Sequence, residues 1–213
     1  MMPSSVGIVE YYQVLLVAVA AFWLGACPFS VWAGHKFLGK EIRDYGDGNP
    51  GAANVMRAGG HKLFGLALLL DMAKGVPFVY LAHAFWGFPD MVVVVVGLSA
   101  IMGHAFSPLL GFKGGKSIAV TFGVLMALPH PGVLFTFITF LLIAFLFIER
   151  DAWIVIAGAV GSLAYLAITG GNSWESVFML GVLAILAVKH FNDLKTVPTR
   201  RVRILAWLQS RRR

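Results

Sequence analysis

Apolar runs and polar breaks alternate along most of this chain. The runs are Val14–Trp32, Leu63–Phe85, Met91–Phe106, Ile118–Leu128, Val133–Ile148, Ala152–Thr169 and Val177–Val188. Several approach or reach the roughly 17–25 residues that a helix needs to cross a hydrocarbon core. The fourth run is short and is stopped by "PHPG", Pro129–Gly132. Pro and Gly stand in most of the breaks, where they end helices. The pattern predicts an all-α polytopic membrane protein, a compact bundle of about seven transmembrane helices. No internal repeat or low-complexity linker divides it. One integral membrane domain is therefore expected over residues 1–195, followed by a basic tail over 196–213.

Composition moves the reading further from a soluble domain. Of 213 residues, 59% are hydrophobic and 13% charged, where a soluble domain carries about 25% charged residues. The net charge of +7 would suit a nucleic-acid binder, but the positions of the charges decide otherwise. With His35–Lys62 placed in the cytoplasm, every Lys and Arg except Lys74 falls on that side. The outer segments hold only Glu10, Asp90 and Glu175. This asymmetry predicts an outer N-terminus and a cytoplasmic C-terminus. It points to membrane lipid rather than nucleic acid as the partner. The tail "RRVRILAWLQSRRR" suits either an amphipathic helix on anionic lipid or a plain cytoplasmic end that fixes topology. The one cysteine, Cys27, excludes an intrachain disulfide and a multi-cysteine metal site. "LGAC" resembles a lipoprotein cleavage site, but Glu10 and no Lys or Arg precede it. Cys27 is expected as a buried helix residue.

Three polar segments share the cytoplasmic face: His35–Lys62, Ser107–Ser117 and Lys189–Asp193. In "GDGNPGAANVMR", Gly46, Gly48 and Gly51 spell G-x-G-x-x-G. The dinucleotide reading of that motif needs a preceding strand and a βαβ unit; here apolar runs flank it. In "GFKGGKS", Lys113 and Lys116 bracket Gly114 and Gly115, which let backbone N–H groups approach an oxyanion. Ser117 then opens the fourth run, whose helix N-terminus adds partial positive charge. The segment is not a Walker A loop, because Leu110 stands where the first Gly belongs. Arg57 adds a planar fork suited to phosphate, and Asn49, Gly51 and Asn54 add hydrogen-bonding or close-approach positions. The glycines alone would mean only tight turns; the shared basic residues favour an anion site. His104 and His190 end the third and seventh runs. Each could orient substrate or stabilise an oxyanion, or serve as an interfacial anchor. No tight histidine ligand pair is present, so no metal is expected. Asp71 and Lys74 sit three apart within the second run. They read either as an ion pair holding the bundle or as an ion path in a transporter.

"GDGNPGAANVMRAGG", "LLLDMAKG", "IMGHAFSPLLGFKGGKSIA" and a late histidine, in this order, resemble the bacterial acyl-phosphate:glycerol-3-phosphate acyltransferases, the PlsY-type enzymes. The resemblance covers nearly the whole chain. It implies a compact seven-helix fold in the bacterial cytoplasmic membrane, with the site on the cytoplasmic face. It implies acyl transfer from acyl phosphate to the 1-hydroxyl of glycerol 3-phosphate, the first acylation step of phospholipid synthesis. Lysophosphatidate and phosphate would be released. No cofactor is implied, and neither acyl-CoA nor acyl carrier protein is used directly; an enzyme producing acyl phosphate would act upstream. Consistently, no histidine here is followed by Asp five positions on, so the H-x4-D acyltransferase pair is missing.

Position by position, Asn49, Gly51, Asn54 and Arg57 match the first motif, with Arg57 on phosphate. Lys113, Gly114, Gly115 and Lys116 match the phosphate-binding loop, preceded by His104, and His190 matches the third motif. The chain departs from the pattern at Asp47 (usually serine), Ala53 (threonine), Ser117 (glycine) and Asp193 (asparagine, here one earlier as Asn192). The catalytic candidates are thus Asp47, His190, Asn192 and Asp193. Two added carboxylates should repel a dianionic phosphate unless the lysines compensate or one carboxyl is protonated. Asp47 could alternatively serve as a base. The rival readings are a diverged enzyme with another acceptor, and a transporter or non-catalytic membrane protein.

Overall fold

The computed structural model describes residues 5–198, with side chains from residue 11 onward. The basic tail, read either as an amphipathic helix on lipid or as a plain cytoplasmic end, falls almost wholly outside the described residues. Every regular element among them is helical, and none is a strand. The chain divides into two compact units, one ending at Pro131 and one beginning at Gly132.

The first unit runs through α1 (Ser5–Ala26), α2 (Phe29–Leu38), α3 (Ala52–Arg57), α4 (His61–Ala73) and α5 (Pro77–Tyr80), then α6 (Asp90–Ala105) and α7 (Ile118–Ala127). A π-helical turn, Leu81–Phe85, continues α5, and short 3-10 turns stand at Ile42–Asp44 and Pro108–Leu110. The second unit holds α8 (Gly132–Phe147), α9 (Asp151–Thr169), α10 (Ser173–Lys189) and α11 (Phe191–Leu194). Among the described residues, four segments are long and apolar enough to cross a membrane: Tyr11–Leu38, His61–Phe85, Asp90–Leu110 and Asp151–Thr169. Helices α7 and α8 are apolar but shorter.

The first apolar run is not the single helix that its pattern predicts. It breaks between Ala26 and Phe29 because Pro28 has no N–H to continue the ladder, and α2 then extends beyond Trp32 to Leu38. Two carbonyls at the break find side-chain donors. Ser107 Oγ donates to Ala26 O at 2.6 Å, and Lys74 Nζ donates to Cys27 O at 2.8 Å. Cys27 is thereby corrected from a buried helix residue to a half-buried one in the break, its thiol 3.5 Å from Trp23 O. The second run breaks as well, after Ala73, where Pro77 opens α5.

The same contacts answer the question raised by Asp71 and Lys74. Both are buried, and Lys74 Nζ lies 2.9 Å from Asp71 Oδ1. Ser30 Oγ donates to Asp71 Oδ2, and the ammonium stands 5.8 Å from the Phe29 ring centre. These contacts join the two residues to each other and to Ser30 and Cys27 of the first unit, which favours the internal ion pair. Small residues set the helix spacing, as they do where lipid supplies no hydrophobic drive between helices. A Cβ on Gly25 would collide with Ala100 O, and one on Gly103 with Phe22 O, so α1 and α6 touch backbone to backbone. In the second unit α9 packs on both α8 and α10. Helix α10 opens with a capping box, Asn172 N donating to Glu175 Oε2 at 3.0 Å.

Candidate anion site

The loop between α2 and α4 is polar on one side and anchored on the other. Ile42, Val55 and Ala58 are buried with Val31 of α2 and Ala67 of α4, and Leu38, Tyr45, Leu63 and Phe64 pack around them. Ile42 is fully buried, and that burial by itself is worth about 1.5–3 kcal/mol relative to exposure. Lys40 Nζ donates to Ala58 O at 2.7 Å, tying the end of α3 back to the end of α2. The polar residues of the loop are thus presented from a fixed base.

Above that base, one carboxylate gathers the candidate residues. Asp47 Oδ1 accepts from Asn54 Nδ2 at 3.0 Å, from Asn49 N at 3.3 Å and from Arg57 Nη1 at 3.4 Å. Asp47 Oδ2 pairs with Lys116 Nζ at 2.9 Å. Asn54 binds the loop together: its Nδ2 also donates to Asn49 O at 2.8 Å, and its Oδ1 accepts from Arg57 Nη1 at 2.6 Å. Gly46 is required here. Its φ is +59°, and a Cβ would sit 2.6 Å from Arg57 Cδ and from Asn54 Oδ1. Gly51 caps α3 and leaves room for the Asn49 amide.

Burial disfavours the charged form of Asp47. The ion pair with Lys116 and the donors from Asn49 and Asn54 outweigh it, holding the carboxyl below its ordinary range. Asp47 is therefore ionised at neutral pH. Such a group is a weaker base than an unpaired carboxylate.

The second loop reaches the same place through Lys116. Gly114 and Gly115 serve first as close packing: a Cβ on Gly114 would collide with His104 O, and one on Gly115 with the His104 ring. Gly115 N donates to His104 O at 3.0 Å, so this amide is already engaged. His104, buried at the end of α6, is the post on which the loop is wound. The loop closes on Ser117, which is buried, has φ +63°, and keeps its hydroxyl without a hydrogen-bond partner. A non-Gly residue in that conformation costs about 1 kcal/mol or more. Ser117 O accepts from both Thr121 N and Thr121 Oγ1, which fixes the first turn of α7. The Lys113 side chain is exposed and lies outside the ion-pair cluster.

His190, Asn192 and Asp193 belong to the second unit. His190 caps α10 and is fully buried, its Nδ1 3.8 Å from Asp193 Oδ2. Asn192 Oδ1 accepts from Lys195 Nζ at 3.2 Å, and the Asp193 side chain is about half exposed. Sequence reasoning brought out the two cations and the asparagines. It missed Lys40, whose bond to Ala58 O has no signature in spacing, and it missed that Asp47 would be their common partner. No cluster of metal-ligating side chains occurs among the described residues.

The chain is similar in sequence and fold to known proteins. The family model described as glycerol-3-phosphate acyltransferase matches residues 15–199. A glycerol-3-phosphate acyltransferase of Dechloromonas aromatica is 35% identical over 184 residues, 86% of this chain and 91% of its own. One from Neisseria meningitidis serogroup C is 34% identical, covering 91% of this chain and 98% of its own. Among solved structures, PlsY (YgiH), an integral membrane glycerol 3-phosphate acyltransferase, superposes in its glycerol 3-phosphate form with a TM-score of 0.75. It is 29% identical over 86% of this chain and 90% of that one. Its lysophosphatidic acid form gives a TM-score of 0.74.

Proposed function

The chain belongs to the glycerol-3-phosphate acyltransferase family, and on that premise we propose that it acylates the 1-hydroxyl of glycerol 3-phosphate with acyl phosphate as donor. It is a multi-pass membrane acyltransferase. The finer topology, seven crossings with the N-terminus outside and the C-terminus in the cytoplasm of a bacterial inner membrane, is part of the proposal. The one-sided distribution of Lys and Arg supports it.

One observation carries the reading. Arg57 and Lys116, from separate loops, already converge on a single carboxylate, with Asn54 beside them. Two cations and an amide around one anion are the parts needed to hold a phosphate. Lys113 would reach the same ligand from the exposed side of its loop.

Acyl phosphate is activated, so the protein's task is to position two substrates and to neutralise charge. The acceptor's 1-hydroxyl oxygen attacks the acyl carbonyl carbon. A new ester C–O bond forms, and the bond from that carbon to the phosphate oxygen breaks. The hydroxyl proton passes to phosphate, and inorganic phosphate leaves. We further propose His190, with Asn192 and Asp193, as contributors to the reaction. Their separate test is loss of turnover in His190→Ala with folded protein retained.

The test of the reaction is phosphate release from palmitoyl phosphate by purified protein, with and without glycerol 3-phosphate. Release that requires the acceptor and yields lysophosphatidate is expected. Release that ignores the acceptor, or none from folded protein, would overturn the assignment.

A further inference from the structure

We propose that Asp47 is an internal anion occupying the phosphate site, which a substrate must displace, so that Asp47 determines which anions the site accepts. This inference rests on the phosphate reading above and deepens it.

The donors that Asp47 holds are those a phosphate needs. Arg57 Nη1, Asn54 Nδ2 and the Asn49 amide serve one oxygen, and Lys116 Nζ serves the other. Both oxygens of the carboxylate are thus engaged by groups from two loops. The arrangement is reachable from solvent: the side chains of Asp47, Arg57 and Lys116 are 38%, 45% and 26% exposed. Asp47 also stands between two glycines in the left-handed region, Gly46 at φ +59° and Gly48 at φ +70°. Glycine crosses between backbone regions more readily than any other residue. The carboxylate is therefore mounted where the chain can turn it away while Arg57 and Lys116 stay anchored by their own elements.

Charge then selects the ligand. A monoanion that replaces Asp47 exchanges one negative charge for another and gains nothing in attraction to the two cations. A phosphate monoester dianion brings two charges and a third oxygen, and it matches the pair. With Asp47 in place the site rejects carboxylates and accepts phosphates. Without that charge it should bind both, and phosphate more tightly.

The experiment is calorimetric titration of full-length protein in detergent with glycerol 3-phosphate and, separately, with glycerate. Wild type, Asp47→Asn and Asp47→Ser are compared. Each variant is expected to bind glycerol 3-phosphate about 3- to 30-fold more tightly, the range set by releasing one or two partly exposed ion pairs. Each is also expected to gain measurable glycerate binding, which wild type lacks. Equal or weaker binding of glycerol 3-phosphate in both variants would overturn the inference and make Asp47 an organiser of the cations. Should the variants fold poorly, wild type alone decides: equal affinity for glycerate and glycerol 3-phosphate would sink it. If neither wild type nor variants bind glycerol 3-phosphate, the phosphate reading itself falls. If wild type binds and the variants bind no better, only the role of Asp47 falls.

Discussion

The molecule contains two Asp–Lys pairs of the same length and opposite character. Asp71 and Lys74 lie 2.9 Å apart with side chains 3% and 1% exposed. Asp47 and Lys116 are also 2.9 Å apart, but 38% and 26% exposed. The first pair sits on one helix end and spends its remaining bonding capacity on Ser30 and Cys27 O. The second joins two loops and carries a further cation, Arg57. Distance alone does not separate a structural pair from a binding site. Water access and surplus positive charge do, because an anion can replace only a carboxylate that it can reach and outbid.

Breaking the buried pair should have the largest effect. Asp71→Asn or Lys74→Met leaves one charge uncompensated and should destabilise the fold by about 3–5 kcal/mol. Thermal unfolding in detergent would register this, and the double change to apolar residues should recover much of it. A mild single-variant effect would remove the contrast between the pairs. Next come Arg57→Ala and Lys116→Ala, each expected to lower kcat/KM for glycerol 3-phosphate by about 10- to 100-fold, the worth of a charge-assisted hydrogen bond. Their unfolding temperatures should stay near that of wild type; a large drop would make the exposed pair structural too. Gly115→Ala forces a methyl against the His104 ring, and such overpacking costs about 1–3 kcal/mol. It should lower activity more than stability, because the displaced segment carries Lys116.

The smallest effect concerns Glu41. The side-chain hydrogen bond from Arg43 leads the causes that hold its carboxyl at about 2, with Arg43 N and His35 also donating. The folded value lies below the ordinary 4.5, so its contribution is present above that pH and is lost as pH falls through about 2. Glu41→Gln should therefore melt slightly lower than wild type near neutral pH, and the gap should close on acidification.

Much of this was legible in the chain, for reasons that also mark the limit. Apolar runs announce membrane-grade helices because every turn faces lipid or another helix. The i, i+3 spacing of Asp71 and Lys74 announces their pair because both lie on one helix face. The break at Cys27–Pro28 was hidden by the apolar run around it; what makes it tolerable, Ser107 and Lys74, lies 81 and 47 residues away from its partner. Likewise, Gly114 and Gly115 signalled close approach but not to what, and His104 proved to be the near neighbour. Asp47 looked like a charge that would repel phosphate. Its local sequence cannot reveal that Lys116, far along the chain, meets it.

The break in the first apolar segment has a consequence for synthesis. A ribosome delivers residues in order, and the carbonyls of Ala26 and Cys27 are made long before the side chains that donate to them. At roughly 5–20 residues per second, Lys74 follows Cys27 by about 2–9 s. Ser107 follows Ala26 by about 4–16 s. Cys27 O can meanwhile accept from Phe29 N, at 3.0 Å in the folded chain, but Ala26 O in the kinked segment of α1 and α2 must borrow a hydrogen bond, from interfacial water, headgroups or the translocation machinery. The bend is thus completed in its hydrogen bonding only when the later segments carrying Lys74 and Ser107 arrive.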